Sequence, residues 1–295
     1  MNIKHKALIT GGAGFIGSHL VDRLKHEGYD ITILDIKNEN ADITDFKCVS
    51  DYVEGQDIIF HLAAQADIRQ SLNDHYSDLH QNVYGMINIL EAMQQNKIKD
   101  LIFASSSALY GEANITPTPE EFMLTQTSLY GASKLSCEAF AQAYSQFMPL
   151  NFWAFRFSNV VGERCSRGVI WDFVHKLKQN PNKLEILGDG QQSKEYIHVS
   201  DVIDGMLLAY EKGKPDSYNI GHKTQTTVNQ VADIVIDEMK LQNVKRIYTG
   251  GKHGWIGDNP KVILSIKRLE RLGWKPKVSS EEAIRKTIRW TLSNL

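Results

Sequence analysis

The sequence predicts an α/β fold with a doubly wound, mostly parallel sheet, and three observations predict it. Short apolar runs alternate with longer helical patterns through the first half of the chain. A glycine-rich turn, "TGGAGFIG" (10–17), joins the first run to the first helical pattern. An aspartate, Asp35, closes the second run. Alternating strands and helices imply right-handed crossovers, and such sheets bind ligands beyond the carboxyl ends of their strands.

The elements follow in order. "ALIT" (7–10) is strand-like, and "GFIGSHLVDRLKHEG" (14–28) is an amphipathic helix closed by Gly28. "DITILD" (30–35) and "DIIFHLAA" (57–64) are strands, and "NVYGMINILEAMQQN" (82–96) is helical. "DLIFASS" (100–106) is a strand, "SLYGASKLSCEAFAQAYSQF" (128–147) a long helix and "NFWAFRFSN" (151–159) another strand. The second half is less regular. "VIWDFVHKLKQN" (169–180) reads as a helix stopped by Pro181, and "LEILGDG" and "KEYIHV" as short strands. Helices follow at 200–213, with Ser200 placed as N-cap, and at 227–239 and 280–295. This half reads as a smaller α/β lobe interleaved with the end of the sheet. The expected division is a dinucleotide domain of residues 1–165 plus about 197–222, and a lobe of about 166–196 and 223–295.

Bulk properties narrow the field. The 295 residues are 42% hydrophobic and 23% charged, with a formal net charge of −2. That balance is globular and gives no reason to expect nucleic acid as a partner. Residues 245–295 are locally basic, with twelve Lys and Arg against four acidic residues. Cys48, Cys137 and Cys165 lie far apart, which points to reduced thiols in a cytoplasm and to neither a disulfide framework nor a metal site. No apolar run approaches a membrane span or a signal peptide, so a soluble cytoplasmic protein is expected.

The glycine turn carries the first chemistry. Gly11 permits a tight turn, Gly14 lets the backbone approach a pyrophosphate, and Gly17 lets helix and strand pack closely. Amides near Phe15 and Ile16 then face the phosphates. Alone, such a turn is an ordinary strand–helix connection. Asp35 strengthens it, because a carboxylate at that offset accepts hydrogen bonds from ribose hydroxyls and repels a 2′-phosphate. The pair marks a Rossmann-type dinucleotide site that prefers NAD to NADP.

"YGASK" places Tyr130 and Lys134 at i and i+4, on one helix face. A lysine beside a phenol favours the tyrosinate, which can serve as a base for an alcohol near neutral pH. The spacing is common on helix surfaces; its weight comes from following the serine cluster "SSSALYG" (105–111) by one strand–helix step.

"TGGAGFIG", "HLAAQ", "SSSALYG" and "YGASK" occur in the order seen in extended short-chain dehydrogenases/reductases. Within that group the chain resembles the nucleotide-sugar epimerase/dehydratase family, and "FRFSNVVG" (155–162) and "KEYIHVSDV" (194–202) extend the resemblance along nearly all of it. The resemblance implies that Tyr130 is the general base and Lys134 its partner on the nicotinamide ribose. It implies a catalytic serine four positions before Tyr110, which is Ser106, with Ser107 as the alternative. It places Asp42 and Ile43 beside the adenine, Leu62, Ala63 and Ala64 along the adenosine, and Asn82 in support of the cofactor side. Each has an ordinary counterpart: strand core for residues 62–64, a helix N-cap for Asn82.

Family chemistry begins by oxidising C4 of the sugar with NAD. A 4,6-dehydratase of this kind carries Asp-Glu directly after the catalytic Ser/Thr; here those positions are Ser107 and Ala108. Ala108 has no titratable group, so elimination lacks its acid–base pair. Epimerisation needs neither acid, so the expected activity is NAD-dependent 4-epimerisation of a nucleotide sugar, most readily a UDP-sugar. The alternatives are another reaction of the family (dehydratase, decarboxylase or reductase) and a non-catalytic NAD-binding regulator.

For the substrate, the resemblance implies that Asn159 bonds the diphosphate. Lys194 stands where the family often has Arg, keeping the charge without the bidentate fork. Trp255, followed by Asp258, replaces a second family Arg, with Lys252 or Lys261 as substitutes for its charge. Arg69 could reach the sugar, although an exposed helix arginine is the commoner case. A homodimer through the helices at 82–96 and 130–147 is also implied.

Overall fold

The computed structural model describes residues 5–37, 41–68, 70–251, 254 and 261–295. The chain divides into two compact units. The first comprises Met1–Gly111, Met123–Arg156 and Met206–Tyr218; the second comprises Glu112–Phe122, Phe157–Gly205 and Asn219–Leu295.

The first unit is built on strands β1 (Lys6–Thr10), β2 (Asp30–Leu34), β3 (Ile58–His61), β4 (Asp100–Ser106) and β5 (Asn151–Phe157). With β10 (Ser217–Ile220) they form a six-stranded sheet in the order β10-β5-β4-β3-β1-β2. Pairing is parallel between β1 and β2, β1 and β3, and β3 and β4. The order reverses at β1, whose neighbours are β2 on one side and β3 on the other. Such a reversal opens a crevice beyond the strand ends, and the turn after β1 lies there.

Helices α1 (Phe15–His26), α2 (Phe46–Val53), α3 (Gly85–Asn96) and α4 (Leu129–Tyr144) belong to this unit. One face of the sheet, through Leu8, Ile59, Leu101 and Phe103, packs with Val49 and Val53 of α2, Met86, Ile89 and Met93 of α3, and Cys137 and Ala141 of α4. Gly85 lets α3 sit close, since a Cβ there would stand 2.5 Å from Ile43 Cδ1. A π-helical turn, Leu79–Tyr84, precedes α3, so Asn82 lies inside a continuous helical run and is not its N-cap. Helix α2 is an addition to the expected elements. Asp45 caps it by accepting from the Lys47 and Cys48 amides.

In the second unit, β6 (Asn159–Val161) pairs in parallel with β9 (Tyr196–His198), and β7 (Lys183–Ile186) with β12 (Lys245–Tyr248). Strand β8 (Ser193–Lys194) lies between β11 (Thr226–Thr227) and β13 (Lys261–Val262). Helices α5 (Val169–Gln179), α7 (Val228–Glu238) and α9 (Ser280–Ser293) enclose a core that includes Phe173, Leu177, Leu184, Val231, Val235, Ile284 and Ile288. Thr227 and Gln230 form a reciprocal capping box at the start of α7. Helix α6 (Val199–Lys212) begins one residue before Ser200, so Ser200 is inside it; its hydroxyl bonds His198 Nδ1 at 2.7 Å. A short α8 (Lys267–Arg271) completes the helices. No described helix is long and apolar enough to cross a membrane.

Candidate functional site

The glycine turn leaves β1 with the Gly11 amide donating to Leu34 O at 2.9 Å. Gly11 has φ +71°, and a Cβ there would stand 2.7 Å from Ala63 N and 2.9 Å from Leu62 C. At Gly17 a Cβ would lie 2.1 Å from Gly11 O. Only hydrogen fits between these backbones. The Leu62 amide donates to Thr10 O and the Ala63 amide to Thr10 Oγ1, both at 3.1 Å, holding the stretch 62–64 against the turn. Gly14 is the N-cap of α1, so Phe15 and Ile16 open the helix, where amides lack intrahelical acceptors and the dipole favours an anion.

Asp35 ties the turn from the β2 side. Its Oδ2 accepts from the Ala13 amide and its Oδ1 from the Lys37 amide, each at 2.9 Å, and the residue is buried. Each oxygen retains a lone pair for a further donor. Asp42 Oδ1 accepts from the Thr44 amide at 2.9 Å. Ile43 puts its side chain in the core and its carbonyl on Asn88 Nδ2 at 2.9 Å. Amide donors at a helix terminus, a turn with no Cβ in the way and a buried carboxylate acceptor one strand over are what a dinucleotide requires. The residues present fit NAD.

The three serines at the end of β4 have separate environments. Ser105 is buried and donates to Glu138 Oε1 at 2.6 Å, which commits it to the interior. Ser106, half-buried, ends the strand; its Oγ accepts from the Ala108 amide at 3.1 Å and caps the 3-10 turn Ser107–Tyr110. Ser107 begins that turn. Helix α4 arrives on the same turn. Ser128 caps it through the Gly131 amide, and a Cβ on Gly131 would stand 2.7 Å from Ala108 O. Tyr130, in the first turn of α4, is therefore brought to the segment that follows Ser106.

Lys134 lies one turn further along α4, 2% exposed. Its Nζ donates to Ala104 O at 2.9 Å and lies 5.9 Å from the Tyr130 ring centroid and 4.6 Å from that of Phe103. Burial holds its pKa down at about 8, against the raising effect of nearby Cys137, Asp78 and Glu138. Asn82 is buried at the back of this cluster. Its Nδ2 meets Ser133 Oγ at 2.8 Å, Gln65 O at 3.1 Å and Asp78 Oδ1 at 3.3 Å, and Ser133 Oγ donates to Tyr130 O.

A supporting network beneath the serines was not anticipated from the sequence. Arg156 donates to Glu138 through Nε (3.1 Å) and Nη2 (2.6 Å), and through Nη1 to Tyr110 Oη at 2.8 Å. Glu138 extends the series Tyr130, Lys134, Glu138 at four-residue steps, which is the sequence signal that could have found it. Arg156 shows as one cation within an apolar strand run.

The second unit holds the residues expected at the substrate. Asn159 opens β6 with its Nδ2 donating to Glu195 O at 3.2 Å, next to Lys194 of β8. Glu195 is fully buried; Oε1 accepts from the Leu264 amide at 3.2 Å, and burial pushes its pKa up to about 8. Arg69, Lys252, Trp255 and Asp258 lie outside the described residues, as does the side chain of Lys261.

The family model of the NAD dependent epimerase/dehydratase family matches residues 7–221. The chain belongs to this family. It is 36% identical to a putative UDP-glucose 4-epimerase of Methanocaldococcus jannaschii, across 97% of this chain and 98% of that protein. It is 28% identical to human dTDP-D-glucose 4,6-dehydratase, across 98% of this chain and 90% of the relative. Among solved structures, the UDP-glucose 4-epimerase of Thermotoga maritima with UDP-glucose matches at a TM-score of 0.90 and 31% identity, covering 98% of this chain and 99% of that one. The family's α/β fold, expected from the glycine turn and the alternating elements, is the fold observed.

Proposed function

We propose that the protein is an NAD-dependent nucleotide-sugar 4-epimerase acting on a UDP-sugar. The observation that carries this reading is the junction of Ser106, Tyr130 and Lys134 beside a dinucleotide-fitting turn, with no carboxylic acid at Ser107 or Ala108. The similarity to UDP-glucose 4-epimerases supports it.

NAD, when bound, would take hydride from C4 and, once reduced, would give it back. The first unit would hold it, with Gly11, Gly14, Phe15, Ile16 and Gly17 at the pyrophosphate, Asp35 at the adenosine ribose, and Asp42, Ile43, Leu62, Ala63 and Ala64 along the adenosine. Tyr130 takes the C4 hydroxyl proton and later returns it. Ser106 donates to the oxygen as charge develops there. Lys134 stays cationic, favours the tyrosinate and bonds the nicotinamide ribose. The 4-keto sugar turns over in the site, so that hydride returned to its opposite face would leave C4 inverted. The second unit would hold the nucleotide, with Asn159 and Lys194 at the diphosphate.

Incubation with UDP-glucose, UDP-GlcNAc and their uronic acids, followed by NMR, tests this: C4 epimers should interconvert without net reduced cofactor. The second reading, a 4,6-dehydratase, is favoured by the similarity to the human enzyme and would show as a 4-keto-6-deoxy product.

The surface supports a homodimer through α3 and α4. Leu79, Tyr84, Phe140 and Phe147 are exposed at 44%, 56%, 39% and 61% around these helices. Three free cysteines suit a reducing cytoplasm.

A further inference from the structure

Lys134 carries the charge on which the proposed base depends, yet its ammonium is buried. A buried cation needs a counter-charge, or it surrenders its proton. Five titratable groups bear on its charge. Tyr130, Cys137 and Glu138 stand on its own helix, His61 on β3, and Asp78 just before the π-helical turn.

Most of these carry no usable negative charge. His61 is buried and neutral, its pKa lowered to about 3 by burial and by Lys134, with Nδ1 bonded to Thr10 Oγ1 at 2.7 Å. Cys137 is a neutral thiol, pushed up to about 12 by burial, and its Sγ donates to Asn82 O at 3.3 Å. Glu138 is paired with Arg156 through both oxygens and also accepts from Ser105. Tyr130 is the group to be activated.

Asp78 remains. It is 2% exposed. Its Oδ1 accepts from Asn82 Nδ2 at 3.3 Å, while Oδ2 is buried and meets no hydrogen-bond donor among the described residues. Burial raises its pKa, Ser71 and Lys134 lower it, and the Asp74 carboxylate raises it. Through Asn82 and Ser133 the same cluster reaches the carbonyl of Tyr130.

We propose that Asp78 is the counter-charge of Lys134, a positioning residue that keeps the ammonium protonated and so keeps Tyr130 competent as a base. This rests on the epimerase reading for its consequence in catalysis, but the pairing itself does not. Asp78→Asn preserves shape and the Oδ1 acceptor while removing the charge.

The test is NMR titration of isotope-labelled lysine in the ligand-free full chain, with Lys134 assigned by its loss in Lys134→Gln. The Lys134 midpoint should fall by about one pH unit or more in Asp78→Asn. Asp78→Glu should restore it. In turnover, the alkaline loss of kcat should begin at lower pH in Asp78→Asn, with KM for the UDP-sugar little changed. In the unmodified protein, the labelled Asp78 carboxyl should register a step at the Lys134 midpoint, which needs no variant to fold. An unmoved Lys134 midpoint in folded Asp78→Asn, or an Asp78 signal blind to Lys134 titration, overturns the proposal. A chain that turns over no nucleotide sugar would sink the epimerase reading and leave both NMR results to decide the pairing.

Discussion

Arg156 and Glu138 form a doubly hydrogen-bonded ion pair, 6% and 3% exposed, beneath the strand end that carries the three serines. Its third arm, from Arg156 Nη1 to Tyr110 Oη, fixes the end of the turn that Ser106 begins. Breaking one side leaves an uncompensated charge in the interior. Glu138→Gln should therefore cost about 3–5 kcal/mol of unfolding free energy, read from urea denaturation. A loss below about 1 kcal/mol would mean the pair is solvated in solution.

Neighbouring serines should separate stability from catalysis. Ser105→Ala removes a donor from a buried carboxylate and should cost about 1–3 kcal/mol of stability. Ser106→Ala removes only an acceptor for the Ala108 amide, so its melting temperature should move little. Its kcat for C4 epimerisation should fall about a hundred- to a thousand-fold. If Ser107→Ala shows that kinetic loss instead, the catalytic hydroxyl is one position later.

Tyr130→Phe should abolish turnover while leaving NAD affinity, measured by calorimetry, within a few-fold of the parent. Retained turnover would remove Tyr130 as the base.

Cofactor preference should follow Asp35. Both carboxylate oxygens are anchored by backbone amides, so the charge cannot swing away from a 2′-phosphate. The parent should bind NAD in preference to NADP, and Asp35→Asn should narrow that preference in a paired calorimetric titration. An unchanged ratio would place the discrimination elsewhere.

Glu195 predicts a pH dependence of stability. Its folded pKa, about 8, is raised above the ordinary 4.5, so folding favours the protonated form. That contribution is fully present below about pH 4.5 and is lost as pH rises through about 8. Glu195→Gln keeps the acceptor for the Leu264 amide and removes the titration. Its stability should exceed the parent's on the alkaline side and converge with it on the acid side, as measured by denaturation across that range. Parallel curves would contradict the assignment.

Much of the site was legible because it depends on local spacing. The glycine turn, Asp35 and the Tyr130–Lys134 step are each set within one turn or one strand–helix unit. Helix α2 was readable from Asp45 and the apolar positions 46, 49 and 53, but eight residues give little periodicity to detect. Strand β10 was not readable, because four residues become a strand only by pairing with β5, more than fifty residues earlier. The same holds for Arg156. Its partners Glu138 and Tyr110 come from a helix and a turn, and although Glu138 continues the Tyr130–Lys134 spacing, nothing in the strand announces either as a partner of Arg156. Asn82 and Ser200 have the composition of caps, yet a preceding helical turn and a helix start at Val199 absorb them.

The glycines differ in what a geneticist would find. A methyl at Gly85 would collide with Ile43 Cδ1 and Cγ1, the outer atoms of a side chain, so trimming Ile43 to Ala offers a second-site suppressor of Gly85→Ala. At Gly17 the obstructing atoms are Gly11 O, Gly11 C and Gly12 Cα, all main chain. No single replacement elsewhere can withdraw them. Selection for revertants of Gly17→Ala should return glycine at 17 and little else.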